Sequence, residues 1–278
     1  LVFTLLFIAA FIYGVIVLRG EPKLVEAQTQ AAEQSAMAIA RQLEIKLAEI
    51  EGRTASVASM GESMPLDVAQ LEASLSKIID AGGDLSVAGG GLWPEPNAFA
   101  PGVSLHSFYW ARSDQGVLTF SDENNLPGIA PYQDTDWYRQ GAAAAAGKCG
   151  WSDAYVDPVS KVLMTTCSVN YTRASRFAGV ATLDLTLNGL ADFLKANGGV
   201  TGGYAFAIDR AGNVLYLPGV SPGSSTFDSV EVAAQYPWLK QVKQWRETVG
   251  ADTGTVYPAS DKTGGSGAYA SLGSLAHS

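Results

Sequence analysis

The chain has few of the side chains that catalytic and metal sites commonly use. Its 278 residues include two cysteines, Cys149 and Cys167, and two histidines, His106 and His277. A structural zinc site needs four such ligands close together, and these residues do not predict one. Basic residues are also scarce, at 18 against 27 acidic ones, for a net charge of -9. Nucleic acid requires a basic surface, so we expect no nucleic-acid partner. We expect no metal and no cofactor either.

Motifs of several enzyme classes are missing as well. The glycine-rich stretches "AGGGLWP" and "GGSG" have no lysine and no strand-to-helix context, so they do not predict a phosphate-binding loop. We predict no nucleophile elbow, which needs its serine on a sharp turn between a strand and a helix. An enzyme would have to use Asp153, Asp157 or Asp184 as an acid–base pair, for example in a membrane-anchored periplasmic hydrolase. That hydrolase is one alternative to the function developed below, and an adhesion or interaction module is another.

The first segment is rich in apolar residues. Residues 1–18 carry no charge, and Arg19 follows them. This length is near the lower limit for a membrane-spanning helix and exceeds the apolar core of a cleaved signal peptide. We therefore expect residues 1–19 to be an uncleaved transmembrane anchor. We also expect the intact protein to extend beyond both ends of this sequence.

A long helix is predicted over residues 20–64. Pro22 suits a first helical turn, and Gly61 and Pro65 end the helical pattern. Small and apolar residues recur at steps of four and three. This stripe comprises Val25, Thr29, Ala32, Ala36, Ala40, Leu43, Leu47, Ile50, Thr54 and Val57. It predicts a helix that packs on its own domain and also pairs with a second subunit in a homodimer.

Beyond a second predicted helix at residues 66–81, strand and turn patterns dominate. We expect a short strand at 85–88 and a Gly- and Pro-rich loop at 89–102. Further strands are predicted within "HSFYWAR", "GVLTF", "WSDAYV", "KVLMTTCSV" and "AGVATLDLTL". A helix over 188–196 follows, and a strand–turn–strand pattern restarts in "GGYAFAIDRAGNVLYLPG". The sequence predicts an α+β fold with two tandem units, each with an antiparallel sheet.

The two cysteines bracket a predicted hairpin with its turn near Pro158 to Ser160. In that register Cys149 and Cys167 lie opposite each other, close enough for a disulfide. An oxidising compartment outside the cytoplasm would permit this bond. Metal binding and cysteine catalysis are the alternatives, but each lacks the further ligands or the partner base that it needs.

Aromatic and acidic residues alternate between the cysteines. A regular strand would put Trp151, Asp153, Tyr155 and Asp157 on one face. That face is either simply solvated or a wall of rings and carboxylates, which suits an ammonium group. Further along, Asp184 interrupts an apolar strand, which is unfavourable unless its carboxyl is paired or lines a pocket.

The order of these segments resembles the double-Cache sensor domain of bacterial transmembrane receptors. The resemblance is most specific over residues 130–215, in "DTDWYRQG", "WSDAYVDPVSKVLMTTCSV" and "FAGVATLDLTLNGLADFL". It implies a ligand-binding, membrane-distal PAS-like subdomain over 65–198. It also implies all or part of a membrane-proximal subdomain over 199–278. Residues 20–278 would lie in the periplasm, anchored in the inner membrane. They would signal to a histidine kinase, diguanylate cyclase or chemotaxis module and would not themselves be an enzyme.

Amino-acid-binding members of that family carry Arg-x-Trp-Tyr, then Tyr-x-Asp, then a distant Asp. The positions that match here are Trp137, Tyr138, Tyr155, Asp157 and Asp184. Thr135 stands where the family has arginine, which would hold the carboxylate of the ligand through a bidentate pair. The resemblance therefore implies a ligand with an amine and without a carboxylate.

The predicted ligand site lies in the distal subdomain, between the sheet and the loop around residues 132–138. Its full set of candidates comprises Tyr109, Trp110, Tyr132, Asp136, Trp137, Tyr138, Trp151, Asp153, Tyr155, Asp157 and Asp184. We expect Asp157 and Asp184 to converge on one point, with Asp136 or Asp153 as helpers.

Overall fold

The structure is a computed structural model that describes residues 21–65, 67–158, 160–198, 204–208, 212–237 and 239. The predicted transmembrane anchor and the last part of the chain, from residue 240, lie outside these residues. Within the described ranges no helix combines the length and the apolar character needed to cross a membrane.

Two helices open the fold. Helix α1 spans Glu21–Ser63, as the sequence predicts for the long helix. Helix α2 spans Val68–Ile79. The Asp67 side chain accepts a hydrogen bond from the Gln70 backbone N–H at 2.9 Å, which caps the first turn of α2.

One antiparallel sheet of seven strands follows. Its strands are β1 (Val87–Pro94), β2 (Phe108–Arg112), β3 (Leu118–Ser121), β4 (Gly150–Trp151), β5 (Tyr155–Val156), β6 (Leu163–Arg173) and β7 (Arg176–Thr186). Their order is β3-β2-β1-β7-β6-β4, and β5 also pairs with β6. Helix α3 (Asp136–Ala143) lies between β3 and β4 in the chain, and helix α4 (Leu187–Gly198) follows β7. The helix near 188–196 and the strands predicted around β2, β3, β6 and β7 are confirmed, whereas the single strand predicted in "WSDAYV" is split into β4 and β5.

The two faces of this sheet differ in what covers them. Helices α1 and α2 pack on the first, which we call the α1 face. Its buried residues include Ile50, Leu71, Leu75, Leu92, Phe108, Val169 and Leu183. The opposite face, which we call the α3 face, is approached by α3, where a Cβ on Gly141 would lie 2.5 Å from Cβ of Ser168. The apolar alternation of β6 and β7 thus builds one core on the α1 face.

Strand β1 corrects the loop predicted at residues 89–102. It runs between β2 and β7 at the centre of the sheet. A Cβ on Gly89 would lie 2.3 Å from the Trp110 carbonyl oxygen, and one on Gly91 would lie 2.0 Å from that of Phe108. Glycine is required there because the backbones of β1 and β2 approach so closely. The glycine run therefore marks a tight strand rather than a loop.

The stripe on α1 packs on its own domain. Leu47, Ile50, Thr54 and Val57 are all buried. These four of its ten residues cannot also face a second subunit, which corrects the dual role predicted for these positions. The exposed apolar side chains of α1 include Met37 and Ile45, at 41% and 70% exposure.

Cys149 and Cys167 form the predicted disulfide. Their predicted alignment is wrong, because the residue opposite Cys167 is Trp151. Cys149 therefore reaches its partner diagonally, across a Cα–Cα distance of 5.5 Å.

A second, smaller region follows α4. Strands β8 (Ala207–Ile208) and β9 (Val214–Tyr216) form the predicted strand–turn–strand unit, and helix α5 spans Val230–Gln235. A separate apolar cluster joins them, formed by Ile208, Val214, Leu217, Phe227, Val232 and Leu239. The strand predicted in "GTVYPAS" lies outside the described residues.

Candidate functional site

Asp184 is the most unusual residue on the α3 face. Strand β7 points Leu183 into the α1-face core, so Thr182 and Asp184 point to the opposite side. Asp184 is only 4% exposed, and its Oδ1 accepts a hydrogen bond from Thr166 Oγ1 at 2.8 Å. None of the ion pairs among the described residues includes it. Burial raises the pKa of Asp184 to about 7. The negative charge of Asp157 adds to that rise, and the Thr166 hydrogen bond opposes it.

Tyr155 extends the polar contacts of Asp184. Its hydroxyl lies 2.8 Å from Thr166 Oγ1, so Tyr155, Thr166 and Asp184 form a continuous chain of hydrogen bonds. Burial, followed by the charge of Asp184, raises the pKa of Tyr155 well above its usual value. The phenol therefore stays neutral and keeps its proton for hydrogen bonding.

Asp157 lies close to the same group. Burial is the main cause that raises the pKa of Tyr109, followed by the charges of Asp184 and Asp157. The charge of Asp157 also adds to the rise in the pKa values of Asp184 and Tyr155. The Oδ2 of Asp157 also accepts hydrogen bonds from the backbone N–H and the hydroxyl of Ser160, at 2.6 and 2.7 Å. Asp157 thus holds the turn before β6 and adds negative charge beside Asp184.

An aromatic wall adjoins these carboxyl groups. Trp93 lies at its centre, with its ring centroid 5.2 Å from those of Tyr109 and Tyr132 and 4.8 Å from that of Trp137. The indole Nε1 of Trp93 donates to Thr182 Oγ1 at 2.8 Å. This bond fixes the wall to β7, two residues from Asp184.

The far side of the wall carries a second carboxylate. The Tyr138 hydroxyl donates to Glu95 Oε1 at 2.5 Å, and the Tyr132 hydroxyl donates to the Pro94 carbonyl oxygen at 2.6 Å. Burial is the main cause that raises the pKa of Tyr132 to about 12. These tyrosines are held by the end of β1 and are neutral donors.

Two predicted aromatic residues lie on the wrong side of the sheet. Trp110 packs in the α1-face core, because it follows Tyr109 in β2 and side chains alternate along a strand. Trp151 packs there too, and its Nε1 donates to Glu51 Oε1 at 2.9 Å. Both are corrections to the predicted site.

The position of Trp151 follows from a register shift in the hairpin. Trp151 pairs with Cys167, whereas Tyr155 pairs with Met164, one residue out of step. A shift of one residue moves the following side chains to the other face. Ser152 accompanies the break, since its hydroxyl accepts from the Thr166 N–H at 3.0 Å. The four alternating residues 151–157 therefore do not share one face.

Two predicted acidic helpers are exposed. Asp136 lies in the first turn of α3 and Asp153 in the break between β4 and β5, and both side chains face solvent. Neither contributes to the raised pKa of Asp184. The candidates that the structure brings together are Tyr109, Tyr132, Trp137, Tyr138, Tyr155, Asp157 and Asp184.

Sequence reasoning missed several members of this site. Trp93 and Glu95 were not found, because the glycines before them suggested a loop. Thr166 is not among the predicted site residues, although polar and apolar side chains alternate along β6 and Thr166 lies on its polar face. The pattern that indicates Thr166 is the run of polar side chains at every second position of β6, opposite an acid on β7.

The α3 face therefore combines the buried carboxyl of Asp184, two further carboxylates (Asp157 and Glu95) and six aromatic rings, five in the wall and that of Tyr155. Within the described part of the chain, no cluster of side chains could hold a metal ion. An electronegative site with aromatic walls favours a cation.

Comparison with known proteins gives a consistent picture. Residues 72–192 match the family described as methyl-accepting chemotaxis protein-like, first PDC sensor domain. A search among curated protein sequences found no significant match.

Several solved structures share the fold. One is methyl-accepting chemotaxis protein X, with a TM-score of 0.60 and 19% identity over 84% of this chain and 94% of that one. Another is the extracellular domain assigned to a histidine kinase, mmHK1S-Z3, with a TM-score of 0.62 and 17% identity over 87% and 86%. The ligand-binding domain of Mlp24 with asparagine has a TM-score of 0.52 and 17% identity over 77% and 79%.

These matches confirm the resemblance to receptor sensor domains that the sequence suggested. The matched family is a sensor domain, which is a ligand-binding module rather than an enzyme. Residues 72–192 thus resemble the first PDC sensor domain of methyl-accepting chemotaxis proteins, and the chain shares its fold with the extracellular domains of chemoreceptors and histidine kinases.

Proposed function

We propose that this sensor domain binds a small amine-bearing molecule on the α3 face and that Asp184 receives its ammonium group. The observation that carries the proposal is the buried Asp184 carboxyl, which pairs with no basic residue in the described ranges. Such a group is costly when ionised and alone. A ligand cation would supply the missing partner.

The surroundings of Asp184 favour a cation over an anion. Asp157 adds a second negative charge, and Tyr109 and Tyr155 are neutral phenols with raised pKa values. Trp93 and Trp137 provide ring faces close by. An ammonium interacts favourably with such faces and makes charge-assisted hydrogen bonds worth roughly 1.5–3 kcal/mol each.

The threonine at position 135 favours the proposal that the ligand has no carboxylate. It is the residue just before α3, and its hydroxyl donates to the Tyr132 carbonyl oxygen at 2.6 Å. It therefore offers no positive charge where an arginine would hold a carboxylate. The solved structure of the Mlp24 ligand-binding domain is one with asparagine, so amino acids are the ligands to compare.

Three related compounds separate these ligand classes. L-Asparagine carries both an ammonium and a carboxylate, 3-aminopropanamide lacks only the carboxylate, and succinamate lacks only the ammonium. Calorimetric titration of the intact protein should show that 3-aminopropanamide binds at least as tightly as asparagine and that succinamate does not bind. Tighter binding of succinamate than of either amine would contradict the proposal. Ethanolamine and putrescine, each paired with the carboxylate of the same length, extend the comparison to other amines.

The wider architecture is part of the same proposal. Residues 1–19 would anchor the chain in the inner membrane, and residues 20–278 would lie in the periplasm. The distal subdomain would span 65–198 and the proximal one 199–278. The separate apolar cluster around β8, β9 and α5 supports a second unit. Signal would pass through the membrane to an output module beyond this sequence.

A homodimer through α1 would use a different side of the helix from the predicted stripe. Ile45 is exposed, whereas Leu47, two residues away, is buried in the core. In the intact receptor, a cysteine at Ile45 should form a disulfide-linked dimer under mild oxidation, and one at Leu47 should not. Equal yields of dimer at both positions, or none at Ile45 and Met37, would contradict this dimer.

A further inference from the structure

The chain of hydrogen bonds from Tyr155 to Asp184 has a direction that depends on one proton. An ionised carboxylate only accepts hydrogen bonds. Thr166 must then donate to Asp184, and because its hydroxyl has a single proton, Tyr155 must donate to Thr166. When Asp184 is protonated, its own O–H can donate to Thr166, which can donate to Tyr155. The 2.8 Å distances of both contacts suit either direction.

We infer that the site binds its cationic ligand in exchange for a proton on Asp184. This inference rests on the proposed function, since it assumes that the ligand brings an ammonium to the carboxyl. In the empty site the carboxyl holds a proton and the chain can run from Asp184 to Tyr155. When the ammonium arrives, that proton leaves to bulk water and the chain runs from Tyr155 to Asp184.

The groups that face Asp184 explain why the proton is held. Asp157, in the turn after β5, is a negative neighbour, and Tyr155 on β5 and Tyr109 on β2 are neutral phenols. Thr166 on β6 gives one hydrogen bond, and the partner on β1 is Gly89, which has no side chain. No described basic residue forms an ion pair with Asp184. A buried carboxyl in such surroundings favours its neutral form.

The pKa of about 7 gives the scale of the effect. A cation competes with the proton, so its apparent affinity falls as pH drops below that value. We expect the affinity for the cation to be about a hundredfold weaker at pH 5 than at pH 8. The reason is that the ionised fraction of Asp184 falls about tenfold for each of the two pH units below its pKa. A sensor with this site would respond to its amine more strongly in neutral than in acidic surroundings.

The first test needs no ligand. Thermal unfolding of the intact protein is followed from pH 4 to pH 8 in the parent and in Asp184→Asn. Because the folded-state pKa is raised, the folded state binds more protons than the unfolded state between pH 4 and 7. Stability from this group is therefore lost as pH rises. The parent should lose melting temperature relative to Asp184→Asn over this range. Parallel profiles would overturn the inference, whatever the ligand.

The second test counts the protons. The parent is titrated with 3-aminopropanamide at pH 6 in two buffers of different ionisation enthalpy. The difference in observed heat should correspond to about one proton released per ligand, and to fewer at pH 8. An aliphatic ammonium stays charged at both pH values. Binding without proton release at pH 6 would overturn the exchange but leave the proposed function standing. If no amine binds while Asp184 titrates near pH 7, the proposed function fails and the exchange falls with it.

Two variants should shift the pH midpoint of the ligand-free stability profile in opposite directions. Thr166→Val removes the hydrogen bond that favours the ionised form, so the midpoint of the ligand-free profile should move to higher pH. Asp157→Asn removes the repelling charge, so that midpoint should move to lower pH. A merely structural role for either side chain would change stability equally at all pH values. Unmoved midpoints in both variants would contradict the assignment to Asp184.

Discussion

The two faces of the seven-stranded sheet are made from the same strands, but one buries apolar side chains and the other also buries polar ones. On the α1 face, Leu92, Phe108 and Leu183 are buried among apolar neighbours from two helices. On the α3 face, Thr166 and Asp184 from the adjoining strands are equally buried and polar. Residues 183 and 184 differ by one position and belong to these two environments.

The difference indicates that one side of β7 stabilises the fold and the other side serves function. The α1 face gains free energy from apolar burial, which is roughly proportional to the area removed from water. The α3 face gives up part of that gain by burying a carboxyl group that pairs with no base in the described residues. Such a residue is a candidate for function, because perturbed pKa values concentrate at binding and catalytic sites.

The largest loss of stability is expected from a substitution on the α1 face. Leu183→Ala removes a fully buried side chain and leaves a cavity, so we expect the free energy of unfolding to fall by about 4 kcal/mol. Asp184→Asn, at the next residue, should lose far less, and at pH 8 it should gain stability because it removes a buried charge. Urea unfolding at pH 8 measures both. Similar losses in the two variants would remove the distinction between the faces.

The disulfide also belongs to the α1 face and should have the next largest effect. Replacing both Cys149 and Cys167 by serine opens a loop closed across 18 residues, and we expect a loss of about 3 kcal/mol. Because β5 pairs with β6 through only two residues, Tyr155 should also become less well held, which would weaken ligand binding. Unfolding with and without reductant measures the first effect. An unchanged midpoint would show that the bond contributes no stability.

A smaller effect compares Trp151 with Tyr155. Trp151→Phe loses the hydrogen bond to Glu51, which should cost about 1 kcal/mol of stability and leave ligand affinity unchanged. Tyr155→Phe loses the bond to Thr166, which should cost a similar amount and also lower affinity. Calorimetry on both variants would decide. If Trp151→Phe weakened binding as much as Tyr155→Phe, the prediction that Trp151 affects stability alone would be wrong.

Much of the fold follows directly from the sequence pattern. The helix over residues 21–63 and the strands β2, β6 and β7 are all expected from periodicity. The disulfide is also expected, although the predicted alignment of its cysteines directly opposite each other is wrong. Alternation in β7 also separates Leu183 from Asp184 correctly. These features depend on local pattern and on pairing between neighbouring strands, which a sequence records directly.

The errors have two physical causes. The glycines of β1 are needed for close contact with β2, a non-local requirement that looks locally like a loop. The shift between Trp151 and Tyr155 depends on Ser152 bonding to β6, which periodicity does not reveal. Each error displaced part of the site. The first hid Trp93 and Glu95, and the second placed Trp151 on the wrong face.

The central claim is that the carboxyl buried on the α3 face binds the ligand. The most direct measurement is the affinity of the intact protein for 3-aminopropanamide in the parent, Asp184→Asn and Asp153→Asn, by calorimetry at pH 7.5. Asp153 is exposed and serves as the matched control for loss of one negative charge. The account predicts a loss of about one to two decades for Asp184→Asn, from one charge-assisted hydrogen bond, and almost none for Asp153→Asn. Equal affinity in the parent and Asp184→Asn, or equal losses in both variants, would contradict it.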